Sequence, residues 1–78
     1  MEQNSYLCDI DLGQTAQIKG LSATGDMQRR LLDIGLTENT AVECVGRSPL
    51  GDPTAFLIRG AVIALRQEDC KNILINIC

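Results

Sequence analysis

The sequence predicts a mainly β domain: a small closed barrel of five short strands, with one α-helix between the first and second strands and a short helical turn before the last. Three observations carry this. The chain has 78 residues, the length of one domain, and 45% of them are apolar, which favours a folded globule over disorder. Several short runs alternate apolar with polar residues between Gly, Pro and Asn turns, the period of half-buried strands. A helical apolar stripe occurs in one segment. With one Phe, one Tyr and no Trp, the core must be aliphatic. Closing the sheet removes strand edges that would otherwise invite aggregation.

In chain order, the polar residues Met1 to Ser5 read as loose, and Leu7, Ile10 and Leu12 as anchors of a turn. "TAQIKGL" places Ala16 and Ile18 on one face and Gln17 and Lys19 on the other, a strand ending near Gly20. "ATGDMQRRLLDIGL" is the helix. Thr24 is its N-cap, Asp26 suits the dipole, and Met27, Leu31 and Ile34 form the stripe, widened by Leu32. Gly35 stops it as a left-handed C-cap, with Leu36 packing back on the last turn. Asn39 supplies a left-handed turn residue. "TAVECVGR" alternates as a second strand, with Val42 and Cys44 on one face. The loop "SPLGDP" follows, then the hairpin "TAFLIR"–Gly60–"AVIALR", the turn "QEDCKN", and the strand "ILINIC" with Ile73, Ile75 and Ile77 on one face.

The hairpin raises the functional question. A two-residue turn at Arg59-Gly60 pairs Ile58 with Ala61, Leu57 with Val62, Phe56 with Ile63 and Ala55 with Ala64. Phe56, Ile58, Ala61 and Ile63 then share the bulkier face, which is expected to be core. Ala55, Leu57, Val62 and Ala64 share the other and are expected to point outward as an apolar patch. Either the helix or the N-terminal segment covers this patch, or it is a docking surface for a partner or a second copy of the chain. Together with the loop residues Leu50, Gly51 and Asp52, these four are the candidate partner-contact residues.

Composition excludes several functions. Ten acids against seven bases, scattered apart from Arg29-Arg30, argue against nucleic acid as a partner. Histidine is absent, as are a Gly-rich phosphate loop and a G-x-S-x-G motif, so no catalytic residue and no cofactor are assigned. None of Arg29, Arg47 or Arg59 is marked out as a catalytic finger. Without a C-x-x-C or a histidine, zinc-finger spacing is excluded, and no metal ligands are assigned. Cys44 and Cys70 are expected buried, Cys8 and Cys78 exposed, and all four reduced. No targeting segment and no apolar run long enough for a membrane helix are visible, so a cytoplasmic chain without membrane insertion is expected.

Gly20-Leu21, Arg30-Leu31, Asp33-Ile34-Gly35-Leu36, Pro49-Leu50-Gly51-Asp52-Pro53, Arg59-Gly60 and Ala64-Leu65-Arg66, in this order and spacing, closely resemble the ferrous iron transport protein A (FeoA) family from about Leu7 to Ile77. The resemblance implies an SH3-like five-stranded barrel spanning residues 1–78 as one domain. It also implies an accessory role in bacterial ferrous iron uptake, exercised by docking on the cytoplasmic face of a membrane transporter with a GTP-binding domain, ferrous iron transport protein B. The alternative is an iron-handling protein that binds Fe(II) itself. The same fold ends some iron-dependent repressors, so fold alone does not fix function. Where the family tends to be polar, Ala55, Leu57 and Val62 are apolar here. Glu38-Asn39 stand where it usually has Pro-Gly, and Cys44 and Cys70 where it has small or aliphatic residues.

Overall fold

The computed structural model describes residues 5–77. Its elements are β1 (Ser5–Tyr6), a 3₁₀ turn (Leu7–Asp9), β2 (Thr15–Leu21), α1 (Gly25–Asp33), β3 (Ala41–Arg47), β4 (Thr54–Ile58), β5 (Ala61–Leu65), α2 (Gln67–Cys70) and β6 (Ile73–Ile77). All strand pairings are antiparallel, in the order β1-β6-β2-β3-β4-β5.

Two expectations about the sheet are corrected. The sheet has six strands rather than five, because Ser5, expected to be loose, pairs with Ile75 and Tyr6 with Leu74. Residues 1–4 lie outside the described ones. Nor does the hydrogen-bonded ladder close on itself among the described residues: β1 and β5 are its two ends. The sheet instead bends where the register slips, between Ile18 and Gly20 on β2 and between Cys44 and Gly46 on β3. An extra residue on one strand increases local twist and lets a short sheet wrap a core without full closure.

The core is aliphatic around a single Phe. Ala16, Ile18, Val42, Cys44, Phe56, Ile58, Ile73 and Ile75 supply it from the strands, and Leu7, Ile10, Leu31, Leu36 and Cys70 from the turns and helices. β2, β3, β4 and β6 each contribute alternate residues, as the pleat requires. Leu12 is not an anchor; it is 64% exposed.

The helix forms where its stripe predicts. Leu31 is buried, Met27 and Ile34 are half-buried against the core, and Leu32 is exposed. Thr24 takes the extended N-cap conformation, although its hydroxyl makes no capping bond. At the other end Gly35 has φ +105°, its N–H donates to the Leu32 carbonyl at 3.0 Å, and the Leu36 N–H donates to the Leu31 carbonyl at 3.2 Å. This double bond pattern satisfies carbonyls that the helix end leaves free, and the positive φ is why glycine stands there. Arg30 and Asp69 join α1 to α2: Arg30 Nη2 donates to Asp69 Oδ1 at 2.6 Å, with the Asp69 side chain 11% exposed and that of Arg30 60%.

Candidate docking surface

Residues 58–61 set this surface. Arg59 has φ +51° and Gly60 φ +83°, the two consecutive left-handed residues of a hairpin turn whose twist matches its strands. For glycine this conformation is free; for an L-arginine it costs roughly 1–2 kcal/mol. Contacts of the Arg59 side chain offset that cost. Its Nη2 donates to Thr37 Oγ1 at 3.0 Å and to Thr40 Oγ1 at 3.3 Å. Its stem lies against Gly35, where an added Cβ would come within 3.1 Å of Arg59 Cδ. Arg59 thus fastens the hairpin tip to the end of α1 and to the following turn, in which Asn39 is left-handed with φ +72°. None of its side-chain partners adjoins it in sequence, so the sequence marked its turn but not this fastening role.

The turn fixes the register. Ile58 pairs with Ala61, Leu57 with Val62, Phe56 with Ile63 and Ala55 with Ala64, as the two-residue turn predicts. Phe56 and Ile58 are buried and Ile63 is half-buried against the core; Ala61, beside the turn, is exposed. On the opposite face Ala55 and Leu57 are half-buried, Ala64 is exposed and Val62 is 66% exposed. None of these four belongs to the core cluster. On β3, Glu43 stands opposite Leu57 and Gly46 opposite Ala55. A shallow groove of about 540 Å³ runs beside Leu57, lined by Thr15, Glu38, Thr40, Glu43 and Arg59. Leu57 therefore adjoins a groove carrying two acids and one arginine that the hairpin pattern did not reveal.

The loop residues are placed differently. Leu50 is 94% exposed. Gly51, with φ +83°, lines a second cleft together with Arg47, Thr54 and Gln67 rather than the Leu57 groove. Asp52 Oδ1 accepts the Gln67 N–H at 3.0 Å, so this carboxylate caps the first turn of α2. Arg47 Nη2 donates to the Ile10 carbonyl at 2.9 Å. The structure thus unites Ala55, Leu57, Val62 and Ala64 on one face. It gives Asp52 a bond of its own and does not bring Leu50 or Gly51 into the Leu57 groove.

Cys44 and Cys70 are buried as expected, while Cys8, expected to be exposed, is half-buried against the core. Cys78 lies outside the described residues. Burial above all, then the charges of Cys8, Asp69, Asp52 and Cys44, pushes the Cys70 thiol up to about 12. Burial, then the neighbouring Asp9 carboxylate, raises that of Cys8. Among the described residues no three His, Cys, Asp or Glu side chains gather as a metal site, and no helix is long and apolar enough to cross a membrane.

Comparison with known proteins places this geometry. The FeoA domain model matches residues 6–77. No curated protein matches the chain. Among solved structures, a FeoA-like protein from Clostridium acetobutylicum superposes with a TM-score of 0.89 at 26% identity, over 99% of this chain and 90% of that one. Iron(II) transport protein A from Clostridium thermocellum gives 0.90 at 29% identity, over 94% of this chain and 45% of that one. FeoA from Stenotrophomonas maltophilia, solved in complex with zinc and described as a prokaryotic SH3 domain protein, gives 0.82 at 22% identity, over 92% and 89%. The bent six-stranded sheet is therefore SH3-like.

Proposed function

The chain belongs to the FeoA domain family, which is associated with ferrous iron transport, and from that premise we propose that it is a cytoplasmic accessory protein that docks on the membrane ferrous iron transporter. The partner is the transporter's GTP-binding cytoplasmic domain, that of ferrous iron transport protein B. The contact is made by the outer face of β4 and β5, at Ala55, Leu57, Val62 and Ala64. One observation carries the choice of face: cross-strand apolar pairs stay open at Val62 and Ala64, outside the core, in a chain whose small core uses other residues. Apolar surface of this kind gains by leaving water, and a contiguous patch marks an interaction site more often than scattered residues do. The reading assigns no catalytic residue, no resident cofactor and no Fe(II) bound by the chain itself.

The test is a direct binding measurement between the full chain and the transporter's isolated cytoplasmic domain, with GTP, with GDP and without nucleotide. Saturable binding in at least one nucleotide state is expected. Absence of binding in all three would remove this partner. Concentration-dependent dimerisation that masks Val62 would hand the face to a second copy.

A further inference from the structure

Cys8 and Cys70 stand near opposite ends of the sequence and line the same cleft in the fold. Cys8 lies in the 3₁₀ turn, Cys70 ends α2, and these two elements pack together. Both residues line one cleft of about 240 Å³, with the apolar Leu7 and Phe56 and the polar Arg47 and Gln67 also in its wall. Both thiols are free. Cys8 is half-buried and Cys70 almost wholly buried, so one thiol borders solvent and its companion lies deeper.

We propose that this cleft is a two-thiolate site for a soft cation that accepts two-coordinate geometry, with Cu(I) as the representative ion. The inference is independent of the docking surface. Thiolates are soft donors and select Cu(I) over harder ions. Zinc prefers four ligands, and no third His, Cys, Asp or Glu joins this pair among the described residues. Two thiolates around one monovalent cation carry one net negative charge instead of two, and Arg47 in the cleft and Lys71, whose charge acts on Cys8, stand ready to offset it. On binding, two Cu–S bonds form and the two S–H protons pass to the buffer. The metal keeps its oxidation state, and no oxidant or reductant is needed.

The experiment uses the full chain carrying Cys78→Ser, so that the remaining terminal thiol does not compete. Under anaerobic conditions Cu(I) is titrated against a chromophoric Cu(I) chelator, with proton release followed in weak buffer. One Cu(I) per chain is expected, with both thiol protons released and sulfur as the nearest neighbour in X-ray absorption. Cys8→Ser, at a half-buried position, should stay folded by circular dichroism and lose stoichiometric binding. Cys44→Ala should keep it, since Cys44 does not line the cleft. Cys70→Ser, if it folds, should behave as Cys8→Ser does; if it fails to fold, the Cys8 arm decides alone. Lack of one-to-one binding, retention of binding by folded Cys8→Ser, or its loss in folded Cys44→Ala would each overturn the proposal.

Discussion

Replacing Leu57 with Lys and Val62 with Glu together should abolish docking while leaving the fold intact. The register dictates the choice of charges. Leu57 lies between Glu43 on β3 and Val62 on β5. A lysine at this position is flanked by carboxylates on both sides, and opposite-charge cross-strand pairs contribute roughly 0.2–1 kcal/mol each. The reversed assignment would set a glutamate against Glu43. The loss at an interface follows from exposure. Fully burying a Val or Leu side chain is worth roughly 1.5–3 kcal/mol. Val62 is 66% exposed and so has about 1–2 kcal/mol to gain, and half-buried Leu57 has about 0.5–1 kcal/mol. The sum, about 1.5–3 kcal/mol, corresponds to roughly 10- to 150-fold in affinity, and desolvating the new charges adds to it. Biolayer interferometry against the transporter's cytoplasmic domain reads this, with thermal melts by circular dichroism alongside. A folded double variant binding within about threefold of the parent would refute the reasoning. Unfolding of the double variant would show that the face is core. Val62→Glu alone, at an exposed position, keeps the test decisive, with a loss of roughly 5- to 30-fold expected.

Other perturbations test how the scaffold holds that face. Gly35→Ala should cost about 1–2 kcal/mol in urea denaturation, because the φ of +105° disfavours a side chain and the new Cβ meets Arg59 Cδ at 3.1 Å; an unchanged midpoint would contradict the close packing of Arg59. Arg30→Met should cost about 1–2 kcal/mol, less than for a fully buried pair because Arg30 is 60% exposed, and Asp69→Asn should then recover part of it; additive losses would show that the pair is not coupled. The folded Cys70 thiol, at about 12, lies above its unfolded value of 9.0, so its contribution to stability is complete below pH 9 and is lost as pH rises toward 12. For the metal-free chain this predicts a loss of about 1 kcal/mol between pH 8 and 10 that Cys70→Ala lacks; equal pH slopes in the two proteins would refute it.

What was legible in the sequence was local. The β4–β5 register could be read because a two-residue turn fixes every pair beyond it, and Arg59-Gly60 marked the turn. Helix α1 could be read because Met27, Leu31 and Ile34 share a face and Gly35 ends it. What was not legible depended on distant partners. Ser5–Tyr6 is too short to carry a period, and its pairing is set by Leu74 and Ile75 near the other end of the chain. Asp69 looked like an ordinary acid in a helical turn; its burial depends on Arg30, 39 residues away. Asp52 resembled an exposed loop acid, yet it accepts the N–H of Gln67. At the candidate site the apolar face could be read from alternation, whereas the groove with Glu38, Glu43 and Arg59 depends on three strands and a turn assembling together.

The most direct test of the central claim is NMR titration of the isotope-labelled chain with the transporter's cytoplasmic domain. Amide and methyl shifts should move at Ala55, Leu57, Val62 and Ala64 and along the groove at Glu43, saturating together, while the opposite ends of α1 and β6 stay still. Saturable shifts confined to α1, to β6 or to the loop at Leu50, with the β4–β5 face unmoved, would contradict it.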